Sequence, residues 1–419
     1  MTYDVAAVRA QFPALISGIA HFDGPGGTQT PSPVIAAIAS ALANPLSNAD
    51  RDGLTGERNA WSIVDGARRA MADLLGADPG GVVFGRSATQ LAYDFSRALA
   101  KTWSPGDEVV VTRLDHDSNI RPWIQAAGHV GAVVRWADFD PATGELTVEH
   151  IRAALSERTR LVAVSAASNL IGTRPPIAQI SALAHEAGAL SYVDGVHLTA
   201  HAFVDVAALD ADFFVCSPYK FLGPHHGVLV ARPELLATLR PDKLLPSSDE
   251  VPQRFEFGTL PYESLAGTAA AVDFLAGLAP GAVGAPDTSS APDTSSGPGV
   301  ASGRRVRLAA AFAAIEEHED ALRSRIEDGL ADLDGVTLWS RAAHRTPTLL
   351  LTFEGRATTD AYRHLARCGV HAPSGSFYAV EASRRLGLGD NGGLRIGLAP
   401  YSDAGDVARL LDGLAEFLA

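Results

Sequence analysis

Between residues 81 and 232 the chain alternates short, nearly continuous apolar runs with helix-like stretches, and this alternation restricts its possible folds more than any other feature. The runs are GVVFG (81–85), EVVVTRL (108–114), AVVRWADF (132–139), RLVAVSAAS (160–168), LSYVDG (190–195), FFVCS (213–217) and GVLVA (227–231). Between them lie helical patterns such as SATQLAYDFSRALAKTW (87–103) and PIAQISALAHEAG (176–188), with Gly or Asp near several ends. Strands that are apolar on both sides must be covered on both faces, and strand–helix alternation sets them parallel. The pattern therefore predicts an α/β fold with a mostly parallel seven-stranded sheet. In such sheets ligands gather beyond the carboxyl ends of the strands, so the loops there are where function is sought.

The rest of the chain divides around GAPDTSSAPDTSSGPGVASG (284–303), which repeats APDTSS and is rich in Pro, Ser and Gly. It reads as a flexible low-complexity insertion, residues 281–303. It would separate a large domain (31–280) from a smaller α+β C-terminal domain (304–419). The latter shows a long helical pattern (304–332), strand-like VTLWS and TPTLLLTFEG, a helix near 358–368, GLRIGLA (393–399) and a closing helix (402–418). The first 30 residues, with HFDGPGGTQTP, read as an arm joining the small domain. A formal charge of −14 argues against a nucleic-acid or anionic-membrane surface, which needs clustered cations. No apolar run reaches the length of a membrane span and MTYDVAAVRAQFPALI lacks a signal-peptide layout, so a cytoplasmic protein is expected. Two cysteines, Cys216 and Cys368, are too few for a disulfide framework, and both can be read as buried small hydrophobes.

The strand tips carry the chemistry. FFVCSPYKFLGPHHG (213–227) runs a buried strand straight into Lys220, whose pKa should fall toward neutrality as it loses hydration, making its amine a usable nucleophile or base. After GVVFG, Ser87, Ala88 and Thr89 open a helix whose N-terminus suits a phosphate, although Ser87 also reads as a cap. His116 follows EVVVTRL, Asn169 follows RLVAVSAAS, LSYVDG ends on Asp194 with His197 three residues on, and Ser217 ends FFVCS. Singly these are a surface histidine, a turn former and a strand-end cap. Together they offer a phosphate cradle, a stacking ring, an amide, a carboxylate, an imidazole and an amine on one edge. That set fits pyridoxal 5'-phosphate, whose ring nitrogen benefits from an anion and whose aldehyde an amine captures. Asp194, His197 and His201 also have a spacing that could bind metal, but no third ligand cluster accompanies them, and no metal is expected.

The order of HFDGPGGTQTP, SATQ, DHDSNIRPW, SNLIG, YVDGVHLTAH, SPYKFLGP, RFEFGTLPYESLAG and LRIGLAPY resembles the class V aminotransferase family of fold-type I pyridoxal-phosphate enzymes, on its cysteine-desulfurase-like branch. The resemblance spans nearly the whole chain apart from 284–303. It implies Lys220 as the Schiff-base lysine, Asp194 on the pyridine nitrogen, His197 near the phenolic oxygen and His116 stacked on the ring, with Asn169 beside the cofactor. It further implies Ala88, Thr89, Ser217 and the hydroxyl of Tyr219 at the phosphate, Arg395 on the carboxylate of an amino-acid substrate, and Thr259 reaching the phosphate of a neighbouring subunit in a homodimer with composite sites. Gly26 and Gly27, with His21, Arg121, Arg174, Ser374, Ser376 and Tyr378, are expected to shape the substrate side of the pocket.

Two positions depart from the branch. The stretch CGVHAPSGSFYA (368–379) places Ser376 on or near the position of the mobile persulfide cysteine, and a serine cannot form a persulfide. Tyr219 stands where the desulfurases have a histidine before the lysine; a Tyr-Lys pair also occurs in the kynureninase relatives. The residues thus imply an aminotransferase-like or carbon–sulfur-lyase-like activity, with desulfurase or selenocysteine lyase action lacking the usual cysteine, epimerisation, and a kynureninase-like lyase left open. A protein that binds the cofactor without turnover is the non-enzyme alternative.

Overall fold

The computed structural model describes residues 3–279 and 303–419. The segment read as a low-complexity insertion lies outside the described residues except for Gly303, which opens the long helix Gly303–Ala331. The chain begins with a short strand β1 (Ala20–His21) and then lays down the strands of the larger sheet. These are β2 (Val82–Gly85), β3 (Glu108–Thr112), β4 (Val133–Ala137), β5 (Thr159–Ser165), β6 (Leu190–Asp194), β7 (Phe213–Cys216) and β8 (Gly227–Ala231). Their order is β2-β8-β7-β6-β5-β3-β4, and only the pairings that involve β8 are antiparallel.

Side chains of a strand alternate between faces, so continuous apolar runs fill two cores at once. Val82, Phe84, Val110, Val162, Val164, Val193, Phe214 and Cys216 enter one core with the helices Thr55–Leu75 and Tyr262–Gly277. Val83, Val109, Val111, Leu161, Ala163, Tyr192, Phe213 and Val215 enter the other, against the helices Ala88–Ala100 and Arg121–Val130. Cys216 is one of these fully buried residues, as the apolar reading of FFVC requires.

The smaller sheet follows, with β9 (Val336–Leu338), β10 (Thr348–Phe353), β11 (Val370–His371), β12 (Ser374–Gly375) and β13 (Gly393–Gly397). Four of them pair in the order β12-β13-β10-β9, while β1 pairs parallel with β11. Ala20 and Phe22 are buried in the core formed by Leu349, Leu351, Leu394, Ile396 and the C-terminal helix Ala404–Leu418. Arg9 adds ion pairs to Asp403 at 2.9 Å and Asp406 at 2.6 Å.

In the larger sheet the chain steps from β3 outward to β4 and then returns to the other side of β3 as β5. That reversal opens a crevice at the strands' carboxyl ends. β13 delivers its own residues to the same crevice. Among the described residues no helix is long and apolar enough to cross a membrane.

Candidate active site

A cavity of about 660 Å³ occupies this crevice. It is lined by Ala88, Thr89, His116, Asn169, Asp194, His197, Ser217, Tyr219, Lys220, Arg395 and Gly26, so side chains separated by hundreds of residues in sequence converge on one space. Gly27, His21 and Thr259 are not among its lining residues. Gly27 borders a smaller adjoining cavity with His21, and Thr259 is exposed on the loop before the helix Tyr262–Gly277.

Lys220 closes a single 3₁₀ turn, Pro218–Lys220, directly after β7. Gly223 lets the following chain fold back: its N–H donates to the Pro218 carbonyl at 2.8 Å, and a Cβ there would stand 2.8 Å from the Cβ of Pro218. The amine donates to the carbonyl of Pro25. Burial, then the cation of Arg395, pulls its pKa down to about 7, against the weaker upward pull of Asp23 and Asp194. At neutral pH a large fraction of the amine is therefore unprotonated.

Asp194 ends β6 fully enclosed. Its Oδ1 accepts the N–H of Val196 at 2.9 Å, and burial pushes its carboxyl up to about 6 despite Lys220 nearby. His116 lies across the cavity at the tip of β3, where its Nδ1 accepts the N–H of Ser118 at 3.1 Å. Burial, reinforced by the charges of Lys220 and Arg395, pulls its pKa down to about 4, so the ring is neutral near pH 7. A neutral ring lined up with a cavity wall can stack on a flat ligand without opposing the amine's charge.

At the carboxyl end of β2, Ser87 caps the helix Ala88–Ala100 by accepting the N–H of Gln90 at 3.1 Å. The helix N-terminus rests against β8 because Gly227 has no side chain; a Cβ there would fall 2.3 Å from the Ser87 carbonyl carbon. The start of this helix, with Thr89 and Ser217, lines one end of the cavity, where free backbone N–H groups and hydroxyls suit an anion.

Arg395, on β13, is only 2% exposed. It donates to Asp23 Oδ1 at 2.6 Å and to the carbonyl of Asn169 at 3.1 Å, while its guanidinium lies 3.7 Å from the Phe377 ring centroid. Its Nε has no partner, nor do Asn169 Oδ1 and His197 Nδ1, all three being buried. His197 Nε2 faces Thr346 and Thr348 at 2.9 Å each. Buried polar atoms without partners are uncommon, and three of them around one cavity mark places where a bound molecule would complete the hydrogen bonding.

The loop that holds Ser376 is fixed across the cavity mouth. Asn169 Nδ2 donates to Phe377 O at 2.9 Å and the Asp117 N–H to Tyr378 O at 2.8 Å. Phe377 and Tyr378 both have positive φ, 52° and 59°, a conformation costly for aromatic residues and held here by those bonds. Phe377, Tyr378 and Arg121 line the cavity, whereas Ser376 does not. Arg174 faces elsewhere and pairs with Glu316 at 2.8 Å, and Ser374 bonds Thr358 at 2.7 Å. The expectation that these three shape the pocket is corrected accordingly.

Asp115 and Asp23 were not singled out from the sequence. Asp115, buried below His116, receives hydrogen bonds from Thr112 Oγ1 and, at 2.7 Å, from Asn119 Nδ2; Asn119 in turn accepts from Trp123 Nε1 at 3.0 Å. Burial above all, with the charge of Asp194 adding to it, pushes the Asp115 carboxyl up to about 8. The fold thus holds a proton that the unfolded chain, with a carboxyl pKa of about 4, has already lost. Stability from this group falls as pH rises from about 4 to about 8, by at most about 1.4 kcal/mol per pH unit. Asp115→Asn mimics the protonated form and should flatten the stability–pH profile across that window, measured by urea unfolding at a series of pH values. An unchanged slope would mean that the carboxyl is ionised in the fold.

The metal-like spacing of Asp194, His197 and His201 brings the two imidazoles within 4.8 Å of each other but assembles no group of three ligands among the described residues. His201 Nδ1 faces Glu319 at 2.9 Å, and His197 is engaged by the two threonines. The thiol of Cys216 is shut in the core, where burial raises its pKa. Cys368, read as buried, is partly exposed at the end of the helix Thr358–Arg367. Neither sulfur lines the cavity.

The family model for aminotransferase class-V matches residues 20–285 and 300–410. An uncharacterized protein of Mycobacterium tuberculosis is 32% identical over 99% of this chain and 100% of its own. A probable cysteine desulfurase of Pseudomonas aeruginosa is 30% identical over 98% of this chain and 97% of its own. Among solved structures, the cysteine desulfurase CsdA of Escherichia coli superposes over the full length of both chains with a TM-score of 0.83 and 26% identity.

Proposed function

The chain belongs to the class V aminotransferase family, whose members are pyridoxal-phosphate-dependent enzymes of amino acids, and from that premise we propose that it binds this cofactor in the 660 Å³ cavity and acts on an α-amino acid without a thiol carrier. The observation that carries the proposal is one cavity that holds a lysine amine with a pKa near 7, an enclosed carboxylate and a buried arginine, but neither of the chain's two cysteines.

The residues fit the group. The start of the helix Ala88–Ala100 with Thr89 and Ser217 would hold its phosphate, with the Tyr219 hydroxyl as a further donor. Asp194 would face the ring nitrogen, His116 the ring's flat side, and His197 Nδ1 and Asn169 Oδ1 would gain partners they otherwise lack. Lys220 would carry the aldehyde carbon. When bound, pyridoxal phosphate supplies an electron sink for charge that develops at the substrate's α-carbon.

The chain's own residues then divide the remaining work. Arg395 binds the substrate carboxylate through its planar fork, and Phe377 beneath the guanidinium holds that fork in one plane. Lys220 would take the substrate's α-proton at Nζ and could return it at a different atom. His116 stays neutral and keeps the ring-facing wall apolar. Phe377 and Tyr378, locked by Asn169 and Asp117, exclude water from that side.

Of the outcomes open after proton removal, this reading takes two: return of the proton elsewhere, which gives the first half of an aminotransfer, and loss of a sulfur-bearing group from the β-carbon. The desulfurase relatives favour assaying the second alongside the first. On the second course the sulfur-bearing group would leave as free sulfide or a small thiol, since neither cysteine lines the cavity to receive it. Cys368→Ser should therefore keep at least about half of wild-type turnover in an assay that follows pyruvate, alanine and sulfide from a panel of amino acids. A loss of about 10²-fold or more with the cofactor still bound would show that the thiol does reach the reaction and would sink the thiol-free reading.

A further inference from the structure

Far from the cavity, at the seam between the helix Thr358–Arg367 and the C-terminal helix Ala404–Leu418, three different metal-ligating groups meet. His364 and Cys368 are four residues apart, so helical geometry puts them on one face, and Glu416 reaches them from the opposing helix. His364 Nε2 lies 3.7 Å from Cys368 Sγ and 3.7 Å from Glu416 Oε2, and Cys368 Sγ lies 3.9 Å from the same carboxylate oxygen. The three atoms thus form a nearly equilateral triangle.

A Zn²⁺ ion with bonds of about 2.3 Å to sulfur and about 2.0–2.2 Å to nitrogen and oxygen, at tetrahedral angles, sets its ligand atoms about 3.4–3.6 Å apart. Each separation is within a few tenths of an ångström of that spacing. The donor set matters as much as the distances. A thiolate with an imidazole disfavours Mg²⁺ and Ca²⁺, which take oxygen ligands, and selects Zn²⁺.

The surroundings bring the two helices close enough for this. Gly413 faces the pair: a Cβ there would stand 2.8 Å from Leu365 Cδ2 and 3.9 Å from Cys368 Sγ, so a larger residue would push the helices apart. The His364 ring packs near Phe417, centroids 5.8 Å apart, which limits its rotation. His364 is 18% exposed and Glu416 71%, so the triangle opens to solvent on the carboxylate side, where a water could take the fourth position. Among the described residues this is the single such group of three.

We propose that His364, Cys368 and Glu416 form a Zn²⁺ site that clamps the end of the Thr358–Arg367 helix to the C-terminal helix. Binding displaces the thiol proton to solvent and changes no oxidation state. The site is independent of the reaction, since none of its three residues lines the active cavity.

The test uses the full chain with its cofactor, freed of metal by dialysis against a chelator and then given Zn²⁺ alone. Cys216 is sealed in the core, so alkylation of the native protein reads Cys368 by itself. The expected result is one Zn²⁺ retained per chain through metal-free gel filtration, with alkylation of Cys368 slowed at least about tenfold. Glu416→Gln, at an exposed position that folding tolerates, and His364→Ala should each weaken retention about tenfold or more and restore alkylation, while turnover of the amino-acid substrate stays at wild-type level. The proposal is overturned if Zn²⁺ fails to bind stoichiometrically, or if it binds equally to both variants and leaves Cys368 unprotected.

Discussion

Lys220→Ala should lower turnover of the amino-acid substrate by about 10²–10⁴-fold from the loss of proton transfer alone, and it should also abolish covalent retention of the cofactor. The expectation follows from position. Lys220 is the amine at the centre of the cavity, its pKa is drawn to about 7, and no other lysine lines that space. Truncation leaves room for a small primary amine, so added methylamine should recover part of the lost rate. A merely structural lysine would show no such rescue. Retained turnover in Lys220→Ala would remove the residue from the reaction.

The second large effect is expected at Arg395. Truncating one partner of a buried, hydrogen-bonded charge pair costs about 2–5 kcal/mol, which corresponds to a loss of about 30- to several-thousand-fold in kcat/KM for a carboxylate-bearing substrate. Arg395→Gln keeps a polar, hydrogen-bonding side chain, though a shorter one, and removes the charged fork. Because the change also strands Asp23, which is bonded to Arg395 at 2.6 Å, the double variant Asp23→Asn/Arg395→Gln controls for misfolding. The diagnostic readout is a comparison of an amino acid with its decarboxylated amine. In the wild type the amino acid should react far faster; in Arg395→Gln the two should converge. If the gap persists, Arg395 supports the fold and some other group binds the carboxylate.

Much of the fold can be read from strand composition. Runs such as VVV in β3 and FFVC in β7 are apolar at every position, and only a sheet buried on both faces accommodates that pattern. The site was legible to the same degree, because strand tips in an α/β sheet share an edge whatever their sequence separation. The helices Ser32–Ala43 and Tyr262–Gly277 are less legible, being rich in small residues that set only a weak period. Asp115 escaped notice because DHD places acids on both sides of His116, and only the backbone shows which one points inward. The pairing of Asp23 with Arg395 joins residues 372 apart, and a local pattern carries no information about such a contact. Cys368 was misjudged for a related reason. Its burial depends on how closely the C-terminal helix approaches, which Gly413 controls from across the seam.

The most direct measurement is borohydride reduction of the purified protein with pyridoxal phosphate, followed by proteolysis and mass spectrometry of the pyridoxyl-labelled peptide. The expected result is one label per chain on Lys220, with the visible colour lost on reduction and no stoichiometric label in Lys220→Ala. A colourless protein that takes up no label, or a label that falls on another lysine while Lys220 stays free, would contradict the assignment of this cavity as the active site.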